Sequence, residues 1–431
     1  MSNCNNTTNL LNIEDENITI SENAIETMKV NGVETKIINA KLSYNPPNFC
    51  PCCGVINEKH DIIKHGFKQC NIILPQISSM DALLCLKKQR FYCKHCEATF
   101  LAQTSVVDYN RSISKNTFFS VLLELKEKQS VYDISQRYNI SHTTIHKWVH
   151  SIKDSFIINY HHLPEHLAFD EFKSVKEVKG KMSFIYADSK TGKVIDILTH
   201  RHINYLKSYF YQYPRAVRAK VKTVCIDMYK GYIDLIRQCF PNAIIITDRF
   251  HVVQLINRSF NKVRIHSMNQ NKDNYRLLKR YWKLLLKNYE ELDPIYYRKY
   301  YGFYYKMTEA QVIHELLKLD KQLDKSYHLM QRPGMAIRNR DIANFNRLIE
   351  KDYSNYPQCI MTTIKTLRYH KDSINNALTH EFSNGKLEGT NNLIKVIKRI
   401  AFGYRNFDNF RSRILLICNT MVPIDKRLPQ I

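Results

Sequence analysis

The sequence predicts an α/β domain joined to a long helical segment, with a small cysteine-rich module and an all-α segment before it. Three observations carry this prediction. Residues 166–248 alternate short apolar runs with helical patterns, which is typical of an α/β domain. Residues 250–380 have the spacing of buried helical faces almost throughout. Seven of the twelve cysteines lie between residues 48 and 102, and a helical pattern follows at about 105–160.

The net charge narrows the class of partner. Lys plus Arg number 64 and Asp plus Glu number 40, which gives a formal charge of +24. Residues 1–47 oppose this trend with six acidic and three basic residues, and they end at Asn45-Pro46-Pro47, so an acidic N-terminal tail and a linker are predicted there. The basic surplus favours nucleic acid over a membrane surface as partner. A basic protein without such a partner is the alternative.

The sequence also predicts where the protein acts. No apolar stretch approaches the roughly 20 residues of a membrane span, so we expect no membrane partner. The polar, acidic start of the chain lacks the basic and apolar regions of a secretion signal. We therefore expect a cytoplasmic protein whose cysteines stay reduced and form no disulfide framework.

The cysteine-rich module contains two Cys-x-x-Cys pairs. Cys50 and Cys53 form the first pair, before Gly54, and Cys93 and Cys96 form the second. Two such turns present four thiolates tetrahedrally to Zn²⁺, and four cysteines leave no open position for catalysis, so structural zinc is predicted. Cys52 is an alternative ligand and His95 a weaker one. Buried free thiols are the alternative interpretation.

Residues 130–148 have the pattern of a helix-turn-helix. Asn139 tolerates the left-handed backbone of the turn, and Ser141 suits the N-cap of the second helix. Ile145, Trp148 and Val149 have the spacing of an inward face. The outward face then carries short polar and basic groups suited to DNA bases and phosphates, namely His142, Thr143, Thr144, His146 and Lys147. An ordinary helical hairpin would show the same pattern.

Acidic residues end two of the predicted strands. The strands are expected at His166–Phe172, Met182–Asp188, Lys193–His200, Val221–Asp227 and Ala243–Thr247. Asp170 and Asp227 end neighbouring apolar runs, so they would project from one edge of a sheet and share a divalent cation. Read as a helix, residues 384–399 carry a third acid and then amide and cationic groups that suit a phosphate backbone: Glu388, Asn391, Asn392, Lys395, Lys398 and Arg399.

These motifs together resemble a known family. The matching pieces are Cys50-Pro-Cys-Cys53-Gly54, Arg90-Phe-Tyr-Cys93-Lys-His-Cys96, Asp170-Glu171-Phe172, Asp227-Met-Tyr-Lys-Gly-Tyr232, Asp248-Arg-Phe-His251-Val252 and Lys386-Leu-Glu388-Gly-Thr-Asn-Asn392. In this order they are similar to bacterial insertion-sequence transposases of the ISL-three family, within the DDE transposases. Cys52 and Glu97 depart slightly from the family's pattern.

The resemblance implies a ribonuclease-H-like mixed sheet with a large helical insertion. It implies that Asp170, Asp227 and Glu388 are catalytic and hold Mg²⁺ (or Mn²⁺) for phosphodiester hydrolysis and transesterification. The partners implied are double-stranded DNA, at the element's ends and at the target, and further copies of the chain in a homodimer or higher oligomer. A bacterial, nucleoid-associated location follows from the same resemblance.

The predicted organisation has four parts. They are an acidic tail (1–47), a zinc-binding module (48–102), a helix-turn-helix domain (103–160) and a DDE catalytic domain (161–431) with a helical insertion at about 255–380. The function predicted is a DNA transposase that binds terminal inverted repeats and cleaves and transfers DNA strands. The main alternative is a non-catalytic DNA-binding regulator derived from a transposase. A zinc-dependent hydrolase and a ribonuclease-H-like nuclease that does not join strands are further alternatives.

Overall fold

The structure is a computed structural model that describes residues 3–418, so the last part of the predicted catalytic domain lies outside the described residues. The chain forms two compact units. Among the described residues, unit 1 contains 3–157 and 395–418, and unit 2 is Ile158–Ile394. The helix at Gly385–Ile400 therefore begins in unit 2 and ends in unit 1.

The elements follow one another along the chain in this order. The strands are β1 (Ile18–Val30), β2 (Val33–Leu42), β3 (Ile62–Ile77), β4 (Met80–Cys93), β5 (Thr99–Leu101), β6 (His166–Lys173), β7 (Met182–Asp188), β8 (Val194–Leu198), β9 (Thr223–Ile226), β10 (Ile244–Thr247), β11 (Arg298–Lys299) and β12 (Lys306–Met307). The helices are α1 (Asn3–Leu10), α2 (Lys115–Glu124), α3 (Val131–Tyr138), α4 (His142–Ser151), α5 (Ile203–Phe210), α6 (Arg215–Arg218), α7 (Lys230–Cys239), α8 (Arg249–Gln270), α9 (Tyr275–Arg280), α10 (Trp282–Leu286), α11 (Glu309–Leu317), α12 (Lys321–Arg338), α13 (Ile342–Ile349), α14 (Gln358–Tyr369), α15 (Lys371–Thr379), α16 (Gly385–Ile400) and α17 (Phe407–Cys418).

Unit 1 contains a five-stranded sheet in the order β1-β2-β4-β3, with β5 beside β4. Strands β2 and β4 run parallel, and the other neighbours are antiparallel. Alternate residues of each strand face the core, as the pleat requires. In β2 the core row includes Ile38 and Leu42, and in β4 it includes Leu84 and Leu86.

The N-terminal segment differs from the expected acidic tail. It contributes α1 and the long strands β1 and β2, and β2 pairs with β4 over eight residues from Thr35 to Leu42. Glu26 and Glu34, two of the acids that suggested a tail, are exposed on these strands, while Ile18, Ile20 and Ala24 of β1 are buried. Composition therefore concealed a half-buried strand pattern, in which one face is apolar and the other is charged.

Helices α2, α3, α4 and α17 enclose a separate core in unit 1. Ile134, Ile145 and Val149 are buried there with Leu416. Arg413 of α17 is also buried, and its guanidinium donates to the backbone carbonyls of Glu127 and Gln129 at 3.1 and 2.7 Å. These bonds hold the segment that leads into α3.

Unit 2 contains a five-stranded mixed sheet in the order β8-β7-β6-β9-β10. The three strands β6, β7 and β8 are antiparallel to one another, whereas β9 runs parallel to β6 and β10 runs parallel to β9. Each of the five strands expected from the sequence is present. One face of the sheet packs on α5 and α7 through a buried cluster that includes Phe169, Phe184 and Phe210.

The helical segment of unit 2 has a core of its own. Helix α8 runs through it and packs against α12 and α14, with Val252, Phe260 and Val263 buried. The expected buried face of α11 and α12 is present, since Val312, Leu316 and Leu323 are each 0% exposed. Helix α15 joins this core to the edge of the sheet, because Ser373 and Thr247 share a hydroxyl hydrogen bond of 2.7 Å.

Candidate active site and metal centre

Asp170 lies within β6 and Asp227 directly follows the adjacent strand β9, so the two lie side by side in the interior of the sheet of unit 2. The parallel register pairs Ala168 of β6 with Cys225 of β9, and each aspartate stands two residues beyond that pair. Residues two apart along a strand share a face of the sheet, so the two carboxylates lie on the same side of adjacent strands. Both aspartates line a cleft of about 430 Å³.

The environment of Asp170 disfavours its negative charge. Burial, and to a smaller extent the nearby carboxylate of Asp227, raise the pKa of Asp170 to about 6, although the N–H of Glu171 acts in the other direction. A buried carboxylate beside another carboxylate is destabilised unless a cation neutralises the pair. The arrangement is therefore suited to a bound cation.

His251 lies against the second aspartate. Its Nε2 is 3.0 Å from Oδ1 of Asp227, and the carboxylate raises the pKa of His251. His251 comes from the first turn of α8. One and two turns further, the same side of α8 brings Gln254 and Arg258 to the cleft. The cleft therefore contains the basic groups of His251 and Arg258 as well as its acids.

Asp248 has a structural role at the start of α8. Its Oδ1 accepts from the N–H of Phe250 at 2.8 Å, which caps the helix, and its Oδ2 accepts from the N–H of Asn384 at 2.8 Å. Asn384 in turn donates from its side chain to the carbonyl of Phe169 at 3.0 Å. These bonds fix the beginning of α16 beside the strand that carries Asp170.

Asn391 of α16 contacts the first aspartate directly. Its Nδ2 donates to Oδ2 of Asp170 at 2.7 Å, and the residue is 7% exposed. Within the described residues, its Oδ1 is buried and has no hydrogen-bond partner. The amide thus orients Asp170 and leaves one oxygen free to accept another ligand.

Glu388 is exposed on the first turn of α16. It precedes Asn391 by three residues, which places the two on neighbouring positions of one helix face. Glu388 is not among the residues that line the cleft. The fold thus brings Asp170 and Asp227 together, and it brings the helix of Glu388 to them through Asn391.

Glu171 serves a separate network, although it also lines the cleft. Its carboxylate accepts from Arg201 at 2.6 Å and from the hydroxyl of Tyr232. The second of these bonds links β6 to α7, which begins just after Asp227. Glu171 therefore ties β6 to the helix that follows Asp227.

Four cysteines of unit 1 form a compact group. The Sγ atoms of Cys50, Cys53, Cys93 and Cys96 all lie within 4.8 Å of one another. The Cys50–Cys96 and Cys53–Cys93 distances are 3.8 and 3.9 Å. Four thiolates at about 2.3 Å from one tetrahedral Zn²⁺ would be about 3.8 Å apart. The cluster therefore has the dimensions of a zinc site.

Tight turns present these thiols. In the first turn the N–H of Cys50 bonds to the carbonyl of Val55, and Gly54 has a φ of +76°; in the second the N–H of Cys93 bonds to the carbonyl of Ala98. Burial acts to raise the pKa of Cys50, but backbone N–H groups of Cys53 and Cys52 outweigh it and lower the pKa to about 6. The two alternatives, Cys52 and His95, are not part of the group.

The predicted helix pair has the expected local geometry. Asn139 has a left-handed φ of 50° between α3 and α4, and the Ser141 side chain accepts from the N–H of Thr144. Trp148 packs edge-on against Phe118, with the two ring centres 5.0 Å apart. The outward set is on the surface: His142, Thr143, His146 and Lys147 are exposed and Thr144 is half-buried.

The polar residues of α16 beyond Asn391 follow the sequence pattern. Leu387, Ile394 and Ile397 are buried, while Asn392, Lys395 and Arg399 are exposed. Lys398 is half-buried, and its ammonium group lies 5.5 Å from the centre of the Phe410 ring. Over residues 3–418, no helix is both long and apolar enough to cross a membrane.

The sequence marked Asn391 as a group for the phosphate backbone and His251 as part of a family motif, but it did not predict their contacts to the aspartates. Each stands beside a motif residue that had been singled out, Asn391 three residues after Glu388 and His251 three after Asp248. A polar residue one helical turn from an acid of a family motif was the available signal. Its partner, more than twenty residues away in each case, became visible only in the fold.

Comparison with known proteins gives the family. A sequence profile of DDE transposases of the ISL-three type, described as "Transposase", matches residues 167–414, which is more than half of the chain. A "Transposase for insertion sequence element IS1001" from Bordetella parapertussis is 28% identical over 263 residues, covering 58% of this chain and 60% of that protein. An "ATP-dependent protease" from Lactococcus lactis subsp. lactis is 37% identical over 110 residues, 26% of this chain and 35% of that protein.

The chain thus spans about a third of one of these relatives and about three fifths of the other. The profile match includes β6 to β10, the helical segment of unit 2, α16 and most of α17. The chain belongs to the ISL-three family of DDE transposases.

Proposed function

We propose that this transposase binds the terminal inverted repeats of an insertion sequence and catalyses metal-dependent cleavage and transfer of DNA strands. The observation that carries the proposal is the placement of Asp170 and Asp227 on adjacent parallel strands, with the helix of Glu388 tied to Asp170 through Asn391. The strand order and the mixed directions of the sheet support a ribonuclease-H-like core with a helical insertion.

The donor set of the site fits a hard divalent cation. Asp170, Asp227 and Glu388 offer carboxylate oxygens, and Asn391 offers a buried amide oxygen that has no protein partner among the described residues. These residues would hold Mg²⁺ or Mn²⁺. When bound, the cation would activate the attacking oxygen and stabilise the leaving 3′-oxygen of a phosphodiester.

The chain's own residues then have distinct roles. Asn391 orients the carboxylate of Asp170, and His251 orients that of Asp227. Arg258 lines the same cleft and supplies positive charge for a phosphodiester that enters it. Asp248 and Asn384 keep α16 in register with β6. Asp170, Asp227 and Glu388 are the catalytic residues of the proposal.

We propose a structural role for zinc at Cys50, Cys53, Cys93 and Cys96. Four thiolates fill the coordination of Zn²⁺ and leave no position for a substrate. The bound ion would join the turn after Phe49, which precedes the β3–β4 hairpin, to the turn at the end of β4, which follows it.

For DNA recognition we propose a helix-turn-helix in which α4 enters the major groove. Its exposed side chains His142, Thr143, His146 and Lys147, with Thr144, would meet base edges and phosphates. Asn392, Lys395, Lys398 and Arg399 would contact the DNA backbone. A transposase must hold two element ends, so we propose a homodimer or higher oligomer acting at the nucleoid in the bacterial cytoplasm.

Labelled DNA that carries the element's ends tests this function. The purified protein should nick that DNA at the element boundary and join it to a second duplex in Mg²⁺, and should form neither product in EDTA. Tight, salt-sensitive binding without cleavage in Mg²⁺ or Mn²⁺ would favour a DNA-binding regulator instead. Cleavage without joining would favour a nuclease.

A further inference from the structure

A basic cleft in unit 1 is not explained by the zinc cluster or by the helix pair. Its volume is about 860 Å³, and it lies against the cysteine module, with Cys52 and Pro51 at one side. Four cationic side chains line it: Lys68, Lys88, Arg90 and Arg111. As far as the structure describes the chain, none of the lining residues is Asp or Glu.

One lysine of this cleft, Lys88, continues an apolar row of the sheet. In β4 the buried row Ala82, Leu84, Leu86 continues at the next position with Lys88. Lys88 is itself only 9% exposed. A lysine at a core-facing position breaks the apolar and polar alternation of the strand, and such breaks in natural proteins are concentrated at functional sites.

The register sets the two lysines against each other. Lys68 of β3 is paired directly with Lys88 of β4, and Cys70 is paired with Leu86 two residues away. Like charges directly opposite each other on antiparallel strands are destabilising. Arg90 lies two residues beyond Lys88 in β4 and adds a third positive charge to the same cleft.

No Asp or Glu among the described residues is paired with either lysine. Burial lowers the pKa of Lys88, although the nearby thiol of Cys70 acts in the other direction. Within residues 3–418 the ammonium group of Lys88 has no carboxylate partner. Fully or largely buried charges are normally paired. The ammonium group instead opens onto the cleft, where an anion from outside the chain would supply the missing charge.

Aromatic side chains give the cleft a second property. Phe49 and Tyr109 are 62% and 72% exposed, and Tyr44 and Phe100 line the cleft beside them. Cationic groups that follow a backbone, next to aromatic faces, are the combination that nucleic-acid-binding surfaces use. The charge and the aromatic rim together favour a nucleic acid over a small inorganic anion.

We propose that this cleft binds the phosphodiester backbone of DNA, with Lys88 and Lys68 meeting a phosphate and Arg90 and Arg111 extending the interaction along the strand. The inference rests on the proposed function and deepens it, since it assigns backbone binding to the sheet of the cysteine-rich module. Zinc would then matter for DNA binding by holding Cys50–Cys53, and hence Pro51 and Cys52, at the rim of the cleft.

The test is the salt dependence of DNA binding, measured by fluorescence anisotropy with a labelled duplex and no divalent metal. Removing one cation that neutralises a phosphate reduces the slope of log affinity against log salt by about 0.9. We expect this reduction for Lys88→Gln and for Lys68→Gln. Lys87→Gln is the matched control, because Lys87 is the neighbouring residue of β4, is exposed, and points to the opposite face of the sheet. Its slope should equal that of the wild type.

Thermal unfolding without DNA separates binding from folding. Since Lys88→Gln removes a like-charge opposition, we expect a melting temperature equal to or above that of the wild type. If the wild type binds DNA and the slope is unchanged in both lysine variants, the proposed binding of DNA by this cleft is wrong, while the proposed function is unaffected. A lower melting temperature with an unchanged slope would make Lys88 structural and overturn it as well. Wild-type protein that binds no duplex would contradict both proposals.

Discussion

Asn391 donates a 2.7 Å hydrogen bond to Asp170 across 221 residues of chain, and this bond joins α16 to the central strand of the sheet in unit 2. Because Glu388 stands one helical turn before Asn391, the same bond sets the position of Glu388 relative to the two aspartates. A single amide thereby ties the helix of Glu388 to the strand of Asp170.

Loss of this amide should slow cleavage without weakening DNA binding. A hydrogen bond to a charged group contributes about 1.5–3 kcal/mol, so we expect Asn391→Ala to lower the single-turnover cleavage rate by about 10- to 150-fold. Thr390→Ala is the control, since that hydroxyl bonds only to the carbonyl of Lys386 in its own helix. Equal rates for Asn391→Ala and the wild type would remove Asn391 from the site.

His251 should act as a positioning residue for Asp227. Its ring lies 3.0 Å from Oδ1 of that aspartate, so His251→Ala frees the carboxylate to rotate, and we expect a rate loss of about tenfold or more. His251→Gln keeps a donor at this position and should recover part of the rate, with DNA affinity unchanged in both variants. A rate loss of the same size in His251→Gln would argue against positioning by a hydrogen bond.

Zinc content should show that Cys53 is a zinc ligand and that its neighbour Cys52 is not. We expect one zinc per wild-type chain by elemental analysis, and the same for Cys52→Ser, because Cys52 is exposed and outside the four-thiol group. Cys53→Ser removes one of four ligands and should lose zinc to a chelator that leaves the wild type loaded. Retention of zinc by Cys53→Ser, or its loss from Cys52→Ser, would contradict the ligand set.

The outward face of α4 should control sequence preference. Replacing Thr143 and His146 together by Ala should reduce the discrimination between element-end DNA and unrelated DNA by about 1–3 kcal/mol for each base edge that the variant no longer recognises. Ser141→Ala provides a contrast, because it removes the N-cap bond to Thr144 and should cost stability, about 1 kcal/mol, rather than specificity. Unchanged discrimination in the double variant would exclude α4 as the reader of bases.

The sequence predicted the parts of this molecule that local patterns determine. Each strand of the sheet in unit 2 was marked by a short apolar run, and two of these runs ended in the aspartates. The grouping of Cys50 and Cys53 with Cys93 and Cys96 was predicted from their spacing, because two Cys-x-x-Cys turns can present four thiolates to a tetrahedral ion, although Cys52 and His95 remained alternatives.

Contacts between residues far apart in the chain could not be predicted from the sequence. The bond from Asn391 to Asp170 joins two motifs whose separation in the chain gives no clue to their proximity. The strands β1 and β2 were missed because the net negative charge of residues 1–47 was interpreted as a tail, although three of the six acids lie before β1. Lys88 was equally hidden, since its burial depends on β2 and β3 packing beside β4.

Substitution of Glu388 provides the most direct test of the whole account. Because Glu388 is exposed and lies outside the lining of the cleft, its replacement should have little effect on folding. Cleavage and strand joining on labelled element-end DNA in Mg²⁺ should be lost in Glu388→Gln while DNA affinity and melting temperature stay at wild-type values. Glu381→Gln, the same change at an exposed position seven residues earlier, should leave both activities intact. Wild-type levels of cleavage and joining by Glu388→Gln would contradict the three-acid active site.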